Sequence, residues 1–96
     1  MKRIKIPQKI KILGMTYDVE QVEYVSREEL QIARIDYLTQ KIYLLSDVGQ
    51  EKKEQAIWHE ILHGIFNALG HDYTDEQLIQ SVACALHQVL KDNDLL

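Results

Sequence analysis

The residues best equipped for chemistry are His59, Glu60 and His63, which stand together in His59-Glu60-Ile61-Leu62-His63. On an α-helix, positions i and i+4 lie about 40° apart on one face. Both imidazoles therefore project side by side and can hold one Zn²⁺ at about 2.0–2.1 Å. Glu60 lies about 100° further round, beside the ion and free to act as a general base. Zinc lowers the pKa of a bound water toward ~7, so this H-E-x-x-H pattern predicts zinc-dependent hydrolysis of peptide bonds. With four histidines and eight glutamates in 96 residues, chance produces the pattern about once in a hundred such chains. The competing reading is two core histidines hydrogen-bonded to carbonyls or acids, with Glu60 at the surface. It is disfavoured because an apolar helix does not bury two histidines and a glutamate without partners for them.

A zinc site needs a third protein ligand. The residues after the motif exclude the extended metzincin pattern, because Phe66 stands where its glycine belongs and Leu69 where its histidine belongs. A carboxylate from the following helix is the better completion. Glu76, in the first turn of that helix, is the first choice; His71, Asp75 and Asp72 remain alternatives in the same connection. Asp75 can instead complement a helix dipole, and His71 can be a polar loop residue. Glu76, Gln80, Ala83 and His87 fall on one helical stripe, and a surface or hydrogen-bonded His87 is favoured over one near the metal.

Residues 46–70 carry the signals of the helix that must present the motif. Ser46 and Asp47 are the expected caps, a helix runs from about Val48 to Leu69, and Gly70 stops it. Its apolar positions cover most of the circumference, which predicts burial. Thr74 and Gln77 suggest a capping box, with Tyr73 stapled on Leu78. The second helix, within 74–92, should run from about Asp75 to Lys91 with Leu78, Val82, Leu86 and Val89 on its core face. Residues 1–45 read as β-rich. A hairpin is expected between Ile10–Leu13 and Thr16–Tyr24 around Gly14, and a second between Gln31–Tyr37 and Ile42–Leu45, with a helical turn possible at Ser26–Leu30. The fold class is α+β: one domain over residues 1–96, with a small sheet of three to four strands followed by two helices. Strand Ile42–Leu45 can be read either as a core strand or as a platform for peptide addition above the metal.

Composition agrees with an ordinary globular domain, at 46% hydrophobic and 27% charged residues. A net charge of −4 argues against nucleic acid or anionic membrane as the main partner. Five basic residues and no acid occupy residues 1–11, best read as an edge strand guarded by lysines. Cys84 alone cannot form an internal disulfide, which fits a reducing compartment, and its neighbours suggest a small buried hydrophobe. With neither a signal peptide nor a membrane-length apolar run, a cytoplasmic location is expected.

The order Ile42-Tyr43-Leu44-Leu45, then Ala56-Ile57-Trp58-His59-Glu60-Ile61-Leu62-His63, then Asp75-Glu76-Gln77-Leu78-Ile79 through Ala83 and Leu86 resembles a minimal zincin core. It is similar in broad pattern to ImmA/IrrE-type metallopeptidases of bacteria and phages. The likeness covers roughly residues 31–92. It implies His59 and His63 as metal ligands, Glu60 as catalytic acid/base, an acid of the second helix as third ligand, and a bacterial cytoplasm as the setting. The family places that acid shortly before an Ala-Asn pair; here Ala83-Cys84 replaces the pair and Gln80 stands at the acid position. The leading expectation is a zinc endopeptidase acting on a protein or peptide, selected with the help of a larger partner. The alternative is a catalytically silent metal-binding interaction module.

Overall fold

The computed structural model describes residues 6–25 and 31–95; the expected turn at Ser26–Leu30 lies outside them. Four strands precede two helices: β1 (Lys9–Ile12), β2 (Met15–Val22), β3 (Ala33–Asp36), β4 (Lys41–Leu45), α1 (Gln50–Leu69) and α2 (Glu76–Asp92). The α+β class expected from the change of period is what the chain adopts. The sheet is mixed, in the order β1-β2-β4-β3. β1 and β2 form an antiparallel hairpin, as do β3 and β4, and the two hairpins join through the parallel pair β2–β4. The first hairpin closes through Leu13 and Gly14, both at positive φ (48° and 89°). Two left-handed residues match the right-handed twist of the flanking strands, and glycine adopts that geometry without a Cβ penalty. The second turn is organised by Asp36, whose Oδ1 accepts from the backbone N–H of Leu38 and Thr39 at 3.0 and 3.1 Å.

One sheet face is apolar and carries α1; its buried residues Ile12, Tyr17, Ile42 and Leu44 pack with Ile57 of the helix. The other face is polar, with the pairs Lys9–Asp18 and Lys41–Glu20 at 3.7 Å and the Arg34 guanidinium 4.7 Å from the Tyr43 ring centroid. Gly64 lets the helix sit close on the sheet, because a Cβ there would lie 2.7 Å from Cδ1 of Ile12. Leu62 packs with Ile79 and Ala83 of α2, so α1 is the middle layer between sheet and second helix. Its near-continuous apolar circumference follows from this position.

Several local expectations need correction. The N-cap of α1 is Gly49, not Ser46 or Asp47, and it makes no side-chain cap bond. Gly70 does end the helix, at φ 78°, with its N–H on Asn67 O and that of His71 on Phe66 O. The cap of α2 is Asp75, whose carboxylate accepts from Leu78 N at 3.1 Å, while the Thr74 hydroxyl donates to Asp72. Tyr73 packs edge-on against Tyr37, with ring centroids 5.2 Å apart. The buried face of α2 is Ile79, Ala83 and His87. Leu78, Val82 and Val89 are 45%, 37% and 54% exposed. The helix is turned by about one residue from its most apolar orientation, and the polar contacts that Glu76, Gln80 and His87 make to α1 account for the turn. Cys84 is half-buried and accepts a hydrogen bond from Gln80 Nε2 at 3.1 Å.

Candidate metal centre

The motif lies in the middle of α1, where its side chains face α2 and the end of the sheet. Ligand atoms of His59, Glu60 and His63 all lie within 4.8 Å of one another, a group able to hold a metal ion. The two Nε2 atoms are 3.1 Å apart. Glu76 reaches across from the first turn of α2, placing Oε2 3.0 Å from His59 Nε2 and Oε1 2.9 Å from His63 Nε2. Glu60 is near these atoms, but Glu76 is the carboxylate that touches both rings.

The opposite side of each ring decides what Nε2 can do. His59 Nδ1–H donates to Gln80 Oε1 at 2.6 Å, and Gln80 Nε2 in turn donates to Cys84, so the amide orientation is consistent at both ends. His63 Nδ1–H donates to the backbone carbonyl of Tyr73 at 2.7 Å. With both Nδ1 atoms engaged by acceptors, each ring in its neutral form presents a lone pair at Nε2. Such lone pairs and a carboxylate converging within about 3 Å repel one another unless a proton on a ring or a metal ion lies among them. Ligand atoms around a tetrahedral zinc stand about 3.3–3.4 Å apart, so small outward movements would accommodate the ion. The donor set fits.

Glu60 has a different environment. It is 5% exposed and its Oε2 has no hydrogen-bond partner. Burial, reinforced by the negative charge of Glu76 and partly offset by Arg34, pushes its carboxyl up to about 8. Tyr37 is also raised, first by burial and then by the charge of Glu60, so its phenol stays protonated beside the acid. These groups line a cleft of about 820 Å³ between β3 and α1.

The other sequence candidates have local roles. His71 is exposed and its ring packs against Phe66. The Asp72 carboxylate accepts from the hydroxyl and N–H of Thr74, bonds that hold it below the usual carboxylate range. Asp75 caps α2. His87 is hydrogen-bonded, as favoured, but to Glu54 at 3.4 Å, and both are buried between the helices rather than at the surface. Strand β4 is paired on both sides and has no edge for a peptide; the edge strand along the cleft is β3. Sequence reasoning missed the role of Gln80 as acceptor for His59. The available signal was its spacing four residues after Glu76, one turn along the same stripe.

Among the described residues, no helix is long and apolar enough to cross a membrane. Comparison with protein-family models, curated proteins and solved structures finds no match, so the functional reading rests on the residues and their geometry.

Proposed function

We propose that this protein is a zinc-dependent hydrolase of peptide bonds, with His59, His63 and Glu76 as metal ligands and Glu60 as the general base. The observation that carries the reading is the convergence of two Nδ1-anchored imidazoles and one carboxylate on a common point, with a buried glutamate adjacent. Zinc suits this nitrogen and oxygen donor set, and when bound it supplies Lewis-acid polarisation and a more acidic water. Gln80 and the Tyr73 carbonyl hold the rings in the metal-binding tautomer. Glu60 takes a proton from the attacking water at its unpartnered Oε2 and passes it to the departing amine. A base whose proton affinity is raised toward neutrality suits that two-way transfer.

The wall opposite α1 suits an extended peptide. Leu45 N donates to Ile32 O, so hydrogen bonding alternates along β3–β4 and the backbone groups of Ala33 and Ile35 face away from β4. A peptide added there would lie along the cleft. The testing experiment combines metal analysis with turnover. The wild type should bind about one zinc per chain, and His59→Ala and His63→Ala should lose it. Glu60→Gln should keep the zinc and cut hydrolysis of an unstructured protein by about 10²–10⁴-fold. Undiminished turnover in Glu60→Gln refutes the assigned base; metal-free wild type after zinc loading refutes the site.

A further inference from the structure

Helix α2 is apolar on two faces. One buries Ile79 and Ala83 against α1. The other, roughly 130° round at about 100° per residue, carries Leu78, Val82, Ala85 and Val89, all exposed. Their spacing of four, three and four residues is the repeat of a seam between two helices, and it runs about 16 Å along the axis. Gln77, Ser81 and Gln88 flank it, exposed and uncharged. In a chain with 27% charged residues, positions 77–90 hold no Asp, Glu, Lys or Arg. A helix apolar on both sides belongs between two layers, and α1 supplies only one of them.

We infer that the second layer is another copy of this chain, the two α2 helices packing antiparallel about a two-fold axis to form a dimer. Charge favours a second copy at this face. The formal net charge is −4, so two copies repel over most of their surfaces, and the uncharged strip of α2 is where that repulsion is least. A two-fold contact also needs a surface that complements itself. Centred between Val82 and Ala85, the antiparallel register sets Leu78 of each copy against Val89 of the other, and Val82 against Ala85. The smaller residues then meet at the centre and the larger at the ends, which suits two helices crossing at a shallow angle about 8–10 Å apart. Their macrodipoles lie head to tail. Such a contact buries roughly 800–1,000 Å² in total, at the low end of specific interfaces, so the dimer is reversible, with a dissociation constant of about 10–100 µM. Glu76 and Gln80, the α2 residues that line the cleft, lie on the opposite side of the helix, so the cleft stays open and the inference stands independently of the metal reading.

The test is sedimentation equilibrium of the full chain from about 5 to about 500 µM, a range that brackets the expected constant. The wild type should pass from monomer to dimer across it. Val82→Glu and Val82→Lys should each stay monomeric while keeping the helical circular dichroism of the wild type. Using both signs separates loss of the seam from a change in net charge. Ser81→Lys with Gln88→Lys charges only the exposed flanks and should weaken the dimer by about tenfold or more, which covers the case of a Val82 variant that loses helix. Leu38→Glu, on the turn after β3 and 96% exposed, should dimerise as the wild type does. Raising salt from about 50 to about 500 mM should tighten the dimer several-fold, because it screens the repulsion between two chains of charge −4. A wild type that is monomeric throughout overturns the inference and leaves the strip to a different protein. A dimer that survives Val82→Lys, is broken by Leu38→Glu or loosens in salt overturns it as well.

Discussion

In the metal-free protein, Glu60 should make stability fall as pH rises, contrary to the usual behaviour of a carboxylate. Its carboxyl is 5% exposed with one oxygen unpartnered, and the folded state raises its pKa from 4.5 to about 8. A raised carboxyl pKa means the native state binds the proton more tightly than the unfolded chain does. Between about 4.5 and 8 the native state therefore holds more protons, and unfolding free energy decreases with pH across that window. Below it, both states are protonated and the penalty is absent; above it, the penalty is fully expressed. A shift of that size corresponds to a ceiling on the order of 5 kcal/mol at about 1.36 kcal/mol per pKa unit. Solvent entering the cleft reduces this to a few kcal/mol, still a large share of a typical domain's 5–15 kcal/mol. The assay is urea unfolding in the presence of a chelator from pH 4.5 to 9, on wild type and Glu60→Gln. Histidines and other carboxylates contribute to both proteins, so the difference between the two curves isolates Glu60. That difference should open by a few kcal/mol in favour of the glutamine variant between pH 5 and 8. Parallel curves, or a wild type gaining on the variant as pH rises, would refute the reasoning.

Two further outcomes separate ligand, support and cap. Gln80→Leu removes the acceptor for His59 Nδ1–H and should weaken zinc binding by about 10–100-fold, measured by competition with a chromophoric chelator. Asp75→Ala removes the cap bond to Leu78 N and should cost about 1 kcal/mol in denaturant unfolding of the metal-free protein. In the same variant zinc affinity should change far less than in Glu76→Ala; the reverse ranking would make Asp75 the ligand.

The organisation of α2 shows why polar contacts deserve as much weight as apolar periodicity in a small helical pair. Maximising buried apolar area would turn Leu78, Val82 and Val89 inward, yet all three are exposed. The adopted rotation brings Glu76 and Gln80 to the histidines at one end and His87 to buried Glu54 at the other. An uncompensated Glu54, 0% exposed, would cost more than the few exposed methyl groups gain, because an unpaired buried carboxylate is among the most expensive groups a core can hold.

Much of the site was legible in one dimension because its spacing is local. His59 and His63 share a face by helical geometry alone, the change from strand to helical period marked the α+β order, and Gly14 and Gly70 marked turns that require left-handed backbone. The choice of Glu76 among four candidate ligands was open in the sequence, since Asp72, Asp75 and His71 are equally near along the chain. Only the packing of α2 on α1 brings Glu76 to both rings and leaves Asp75 at the helix cap. The pairing of β4 on both sides, which moves the available edge to β3, is likewise a long-range result of strand order. Local periodicity determined which residues share a face of their own element. Which face meets which neighbour was decided by contacts between residues far apart in the chain, whose joint satisfaction depends on the whole fold.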